Sequence, residues 1–231
     1  MSARNMYRPF RVFSLAAFTS EVLRRMVVTA LIALGISALP AQAAIITSVD
    51  RATFQLAVAG GVITEQNFDS MPVGTILGVT SEIIYSASSG SPIVTNSFLT
   101  STPPNGLGAT VFGFFLPTDT ATFTFTAPIT AFAIDVNTFA ASDGAYRATL
   151  STGDIIPSIF EVFPGNTTGQ FIGFASDSPF ISVTISAVTG FSYTLDTLVY
   201  GDAGVLLMPE PDTLALLFIA TAGLAWRRRE R

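Results

Sequence analysis

The chain has 231 residues, 49% of them hydrophobic and 12% charged, with 16 acidic and 11 basic residues and a formal net charge of −5. Every basic residue is an arginine, and histidine, lysine and cysteine are absent. Those absences exclude a thiol nucleophile, an imidazole base, a Ser-His-Asp triad, a Schiff-base lysine, a P-loop, disulfide bonds and the usual zinc, haem and iron-sulfur ligands.

Residues 1–43 read as a signal peptide with an extended, arginine-bearing n-region; the start can be Met1 or Met6. Arg24 and Arg25 precede the apolar run Met26–Leu39, and Ala41-Gln42-Ala43 fits the small-x-small pattern ahead of a cleavage site. The small-residue site favours cleavage by signal peptidase after export through the general secretion machinery, over a retained signal anchor. Residues 44–201 then form one domain. Between Ala44 and Met208 only Arg51 and Arg147 face 12 carboxylates, a charge of about −10 (2 − 12). Such a surface repels nucleic acid and anionic lipid, leaving neutral sugars, cations and other proteins as partners.

Ser48 followed by 49–59 and the pair Gly60-Gly61 predicts a short helix, capped by Ser48 with Asp50 in its first turn. Beyond it the pattern is β. In 121–126, 131–137 and 181–186 apolar residues alternate with Thr, Ser, Asp and Asn: Phe123 and Phe125; Phe132, Ile134 and Val136; Ile181, Val183 and Ile185. Shorter candidates are 62–68, 82–85, 93–98, 109–115, 146–150, 155–163 and 170–175, with turns at 101–106, 142–144, 163–166 and 176–179. One apolar face per strand implies an antiparallel sandwich. The expected fold is all-β, with one short N-terminal helix, flanked by the signal-peptide helix and a C-terminal hydrophobic helix.

Residues 202–207 read as a linker, and 208–231 as a separate signal. There Pro209, Glu210 and Pro211 keep the backbone extended and poor in donors, the apolar segment 214–226 follows, and Arg227, Arg228, Arg229 and Arg231 close the chain. The apolar segment is shorter than the ~20 residues of a stable span, so it makes a transient anchor with the arginines kept on the cytoplasmic side as a stop-transfer cluster.

This tail resembles the PEP-CTERM sorting signal of Gram-negative bacteria that make extracellular polysaccharide. The resemblance implies processing by exosortase, a membrane-embedded peptidase, with Pro209, Glu210 and Pro211 as its recognition element. Residues 127–135, 171–185 and 195–201 also resemble strands that recur in PEP-CTERM proteins, an ending shared with jelly-roll sandwiches of the carbohydrate-binding type. That likeness implies a jelly-roll-like sandwich.

Three groups of residues are candidates for chemistry. The apolar phase slips between Leu195 and Leu198, which predicts a bulge at Asp196 and Thr197 that re-aims a side chain. In related jelly rolls the acid of this final strand often helps hold a structural calcium, so Glu65, Asp69 and Asp196 are the candidate calcium ligands; against them stands Asp196 as an ordinary carboxylate. Asp135, Glu161 and Asp196 are the acids a glycosidase would need, though no spacing draws them together, and the expected protein is not an enzyme. Tyr85, Tyr146, Tyr193 and Phe163 are the candidate platform for sugar rings, while Asn166-Thr167-Thr168 is a polar turn. No cofactor is required. The expected role is structural or adhesive, in exopolysaccharide or biofilm at the cell surface or in the matrix, after brief inner-membrane anchoring; the alternative is a carbohydrate-binding module.

Overall fold

The computed structural model describes residues 45–48, 50–163 and 168–204. The signal peptide, the second half of the linker, the sorting tail with both expected terminal helices, and most of the 163–166 turn lie outside them. Among the described residues no helix is long and apolar enough to cross a membrane.

Among the described residues the domain has eleven strands and one helix. In chain order they are β1 (Ile45–Thr47), α1 (Arg51–Ala57), β2 (Val62–Gln66), β3 (Ile83–Ala87), β4 (Pro92–Thr95), β5 (Gly106–Ala109), β6 (Thr120–Asn137), β7 (Tyr146–Leu150), β8 (Ile155–Pro157), β9 (Ile159–Val162), β10 (Thr168–Ala187) and β11 (Thr194–Asp202). All pairings are antiparallel. The fold is therefore the expected all-β, jelly-roll-like sandwich.

β6 and β10 carry the architecture. Their first and last parts pair in register as Thr120–Thr124 with Ser182–Ser186 and as Ala131–Asn137 with Gly169–Ala175, with irregularities between Ala175, Phe180 and Ser182. The expected turn at 176–179 is a bend inside β10, and Pro128 lies at the facing gap in β6; both prolines stand where the ladder is already interrupted and a missing N–H costs least. On one side of the bend lies a first sheet, β3-β6-β10-β7-β8. On the other lies a second sheet, in which β11, β6 and β10 are central, β2 and β5 flank β11, and β9 and β1 flank β10.

The alternation places Phe123, Phe125, Phe132, Ile134, Val136, Val183 and Ile185 in one buried core between the sheets. Phe125 of the first sheet meets Tyr200 of the second at 5.3 Å between ring centroids. Ile181 departs from its expected face: it is exposed, and Phe180 is buried in its place because the irregularity around Pro179 shifts the phase.

A second, smaller core lies on the outer face of the second sheet. There α1 lays Phe54 and Val58 against Ala131, Ala133, Phe171, Ala175 and Val199. The helix is shorter than expected and begins later, because Ser48 still donates its N–H to Gly173 as an extension of β1. Asp50 is the cap instead: its backbone is extended, and its carboxylate accepts from Thr53 N–H at 2.6 Å. Three strand expectations also shift. Residues 110–114 form a turn folded back on β5 before Phe115 bridges Tyr193, 155–163 splits at Ser158, and 93–98 ends at Thr95.

Candidate functional site

The outer face of the second sheet gathers most of the charged and polar residues singled out above. Because residues in register share a face, Asp135 of β6 and Asp196 of β11 lie directly side by side, with Phe171 of β10 on the other flank of Asp135. One step along, Glu161 of β9, Gly169, Asn137 and Thr194 form the next transverse row. Asp135, Glu161 and Asp196 are thus drawn to one region, which no sequence spacing required.

Asp196 sits at the expected bulge. The ladder with β6 breaks between Asp196 and Val199, and Thr197 takes a left-handed φ of 45°. The bulge turns the wholly buried Asp196 carboxylate toward the loop between β4 and β5. It accepts from Thr102 N–H and Thr102 Oγ1, both at 2.8 Å, from Ser101 Oγ at 3.2 Å and from its neighbour Thr197 N–H at 2.7 Å. Burial raises its pKa, opposed by these donors. Asp69 fastens the other end of the same loop by accepting from Asn105 N–H at 3.0 Å.

Asp135 is placed differently. It is 1% exposed and ion-paired to Arg51, the first residue of α1, while its Oδ2 has no hydrogen-bond partner. Burial pushes its carboxyl up to about 7, against the opposing pull of Arg51 and the Ser101 hydroxyl; Glu161 and Asp196 push further in the same direction. Arg51 also lies over the Phe171 ring, 5.1 Å from its centroid. Burial raises Glu161 as well, and Arg51 pulls it back. One arginine therefore serves two acids across the join of α1, β6 and β9.

The candidate calcium ligands are not gathered into one group. Glu65 is exposed on β2, and among the described residues no set of three His, Cys, Asp or Glu side chains could hold a metal ion. Asp69 and Asp196 instead spend oxygens on amides of one loop.

The expected sugar platform is a correction. Tyr85, Tyr146, Tyr193 and Phe163 are all buried. Tyr193 and Tyr146 pack edge to face at 5.0 Å, and the Tyr193 hydroxyl donates to the Asp119 carbonyl. The three tyrosines belong to the core between the sheets, Tyr85 and Tyr146 on the inward phase of β3 and β7, while Phe163 follows β9 and packs its ring over Gly169.

A different aromatic group, missed in the sequence, is exposed. Phe98, Phe112, Phe114 and Phe139 come from three connections: Phe98 meets Phe114 at 5.5 Å and Phe139 at 5.8 Å, and Phe112 stacks on Phe114 at 5.7 Å. Phe112 is 53% and Phe139 75% exposed; Phe98 and Phe114 are half-buried. The readable signal was phase: Phe139 continues the outward series Asp135, Asn137. Gly108 makes the assembly feasible, since a Cβ there would stand 2.3 Å from the Gly113 carbonyl oxygen in the turn that carries Phe112 and Phe114.

Fold and site define an antiparallel β-sandwich whose buried acids act inside the structure and whose outer face ends in exposed aromatic rings. The chain carries, at residues 209–229, a match to the family model described as the PEP-CTERM protein-sorting motif. That motif marks an exported protein, briefly anchored in the membrane and handled by exosortase. No curated protein matches the chain. Among solved structures it is similar to three of family 29 carbohydrate-binding modules, two of them mutants made to probe ligand recognition and one a mutant with a charge-reversing substitution. Their identities are 9%, 9% and 10%, and their TM-scores 0.31, 0.30 and 0.31. The likenesses cover 65%, 64% and 65% of this chain and 100%, 99% and 99% of theirs.

Proposed function

We propose that this exported protein is a non-catalytic structural or adhesive part of an extracellular polysaccharide matrix, released to the surface or matrix after exosortase acts at Pro209, Glu210 and Pro211. Signal peptidase would remove residues 1–43 on the way out, and Arg227, Arg228, Arg229 and Arg231 would hold the tail until processing.

The observation that carries this reading is the sorting motif, attached to a domain in which Asp135 and Asp196 are committed to its own interior. A glycosidase needs two carboxyl groups flanking a sugar in an accessible cleft. Here Asp196 is fully enclosed by loop donors, and Asp135 is ion-paired to Arg51 under α1. The second reading, a carbohydrate-binding module, is favoured by the exposed phenylalanine group.

The test replaces Pro209, Glu210 and Pro211 together by alanine in the native host. Accumulation of the full tail in the membrane, with loss from the matrix, is the expected outcome. Unchanged delivery to the matrix contradicts the assignment.

A further inference from the structure

We infer that Phe98, Phe112, Phe114 and Phe139 form a binding platform for a short segment of a neutral polysaccharide. The inference rests on the adhesive reading above and gives it a site.

Size argues first. With about 200 Å² per phenylalanine, two rings more than half exposed and two partly so present about 350 Å². That is under half of the ~800 Å² per partner of a stable protein interface, so the patch is too small to hold a second copy of the chain by itself. It matches the footprint of a few sugar units, whose C–H faces lie flat on aromatic rings.

Charge argues next. The described cations are Arg51 and Arg147. Arg51 is taken by Asp135, and Arg147 lies on the first sheet, donating to Ser186 Oγ at 3.2 Å. Nothing at the platform can neutralise an acidic polymer, and the surrounding domain repels one.

Position sets the rings apart from the points where the chain joins the sheet. The chain enters the second sheet at Ile45, opposite Ser176, and leaves it at Asp202, opposite Val62, both at the end where Gly201 faces Ala131. Asn137 and Thr194 mark the other end, about 23 Å away along β11 at ~3.3 Å per residue, and Phe139 lies just beyond. The rings therefore sit at the end of the second sheet opposite to the one where the chain enters and leaves it.

The test uses the processed protein recovered from its host, run in affinity gels containing galactomannan, mixed-linkage β-glucan or dextran, with alginate as the acidic control. Retardation in at least one neutral gel is expected, weakened at least about tenfold in the double variant Phe112→Ala/Phe139→Ala. Both rings are largely exposed, so its melting temperature should stay that of the parent. Since processing removes Trp226, the only tryptophan, Phe139→Trp supplies a unique fluorophore whose emission should shift when the retarding polymer is added.

Absence of retardation in every neutral gel overturns the platform, as does equal retardation in alginate. So does binding that survives the double variant, or an unshifted emission under saturating polymer. Sedimentation with neutral phosphatidylcholine vesicles, or a dimer lost in the double variant, reassigns the patch to lipid or to a second copy. Mass separates the two levels: a correctly trimmed protein that ignores every neutral polymer sinks the platform alone, whereas one that keeps its tail sinks the exosortase assignment.

Discussion

Substituting Asp135→Asn removes the charge from a deeply buried acid of the outer face while keeping its shape. In the parent protein, burial raises the Asp135 carboxyl from 3.8 to about 7. A group whose folded pKa is raised binds its proton more tightly in the native state, so its contribution is fully present below about pH 4 and is lost as pH rises through about 7. A rise of about three pH units at about 1.36 kcal/mol each corresponds to roughly 4 kcal/mol of stability lost across that window. The direction agrees with the general cost of a buried ion pair, whose desolvation outweighs the attraction of a partner, here the partly exposed Arg51. Glu161 and Asp196 are raised for the same reason and add to the decline. Urea unfolding of the processed protein between pH 4 and pH 8 measures it. The parent should lose stability over this range, and Asp135→Asn should lose clearly less, with the urea m-value unchanged. A parent whose stability rises from pH 4 to pH 7, or a variant with the same pH slope, would refute the reasoning.

Other outcomes follow from the same geometry. Asp196→Ala strips the donors of Ser101, Thr102 and Thr197 of their acceptor and should cost about 3 kcal/mol in urea unfolding, with the loop 100–105 becoming the first site of proteolysis. Gly108→Ala drives a Cβ into the Gly113 carbonyl and should destabilise by about 2 kcal/mol or more, whereas Gly144→Ala, with open space around it but a φ of 73°, should cost about 1 kcal/mol through strain alone. Since Asp69 and Asp196 spend oxygens on loop amides, the melting temperature should be the same in millimolar calcium and in chelator; a rise in calcium would restore the candidate site.

The sandwich was legible because period-two alternation survives in β6, β7 and β10, where one face is core. What the alternation could not tell was that Pro128 and Pro179 bend a strand rather than end it, since a proline at an interrupted ladder looks the same in sequence as a proline in a turn. The bulge at Asp196 was legible as a slipped phase. Its consequence was not: a slipped carboxylate faces a metal or a loop depending on which donors a segment about 95 positions away delivers. The tyrosines were taken as surface rings from their chemistry alone, although Tyr146 and Tyr193 share the phase of buried neighbours. Four phenylalanines assemble on the outside only because three separate connections converge. Residue type suggested the chemistry in each case, and phase decided the placement.

The central claim is that the chain is an exported sandwich trimmed at its PEP-CTERM motif. Intact mass of the protein recovered from its native host, in membrane and in matrix fractions, tests it most directly. The account predicts a matrix species that begins near Ala44 and lacks the segment beyond Pro209–Pro211, with any added mass reporting the group attached in its place. A matrix or surface species that still carries Arg231 would contradict it.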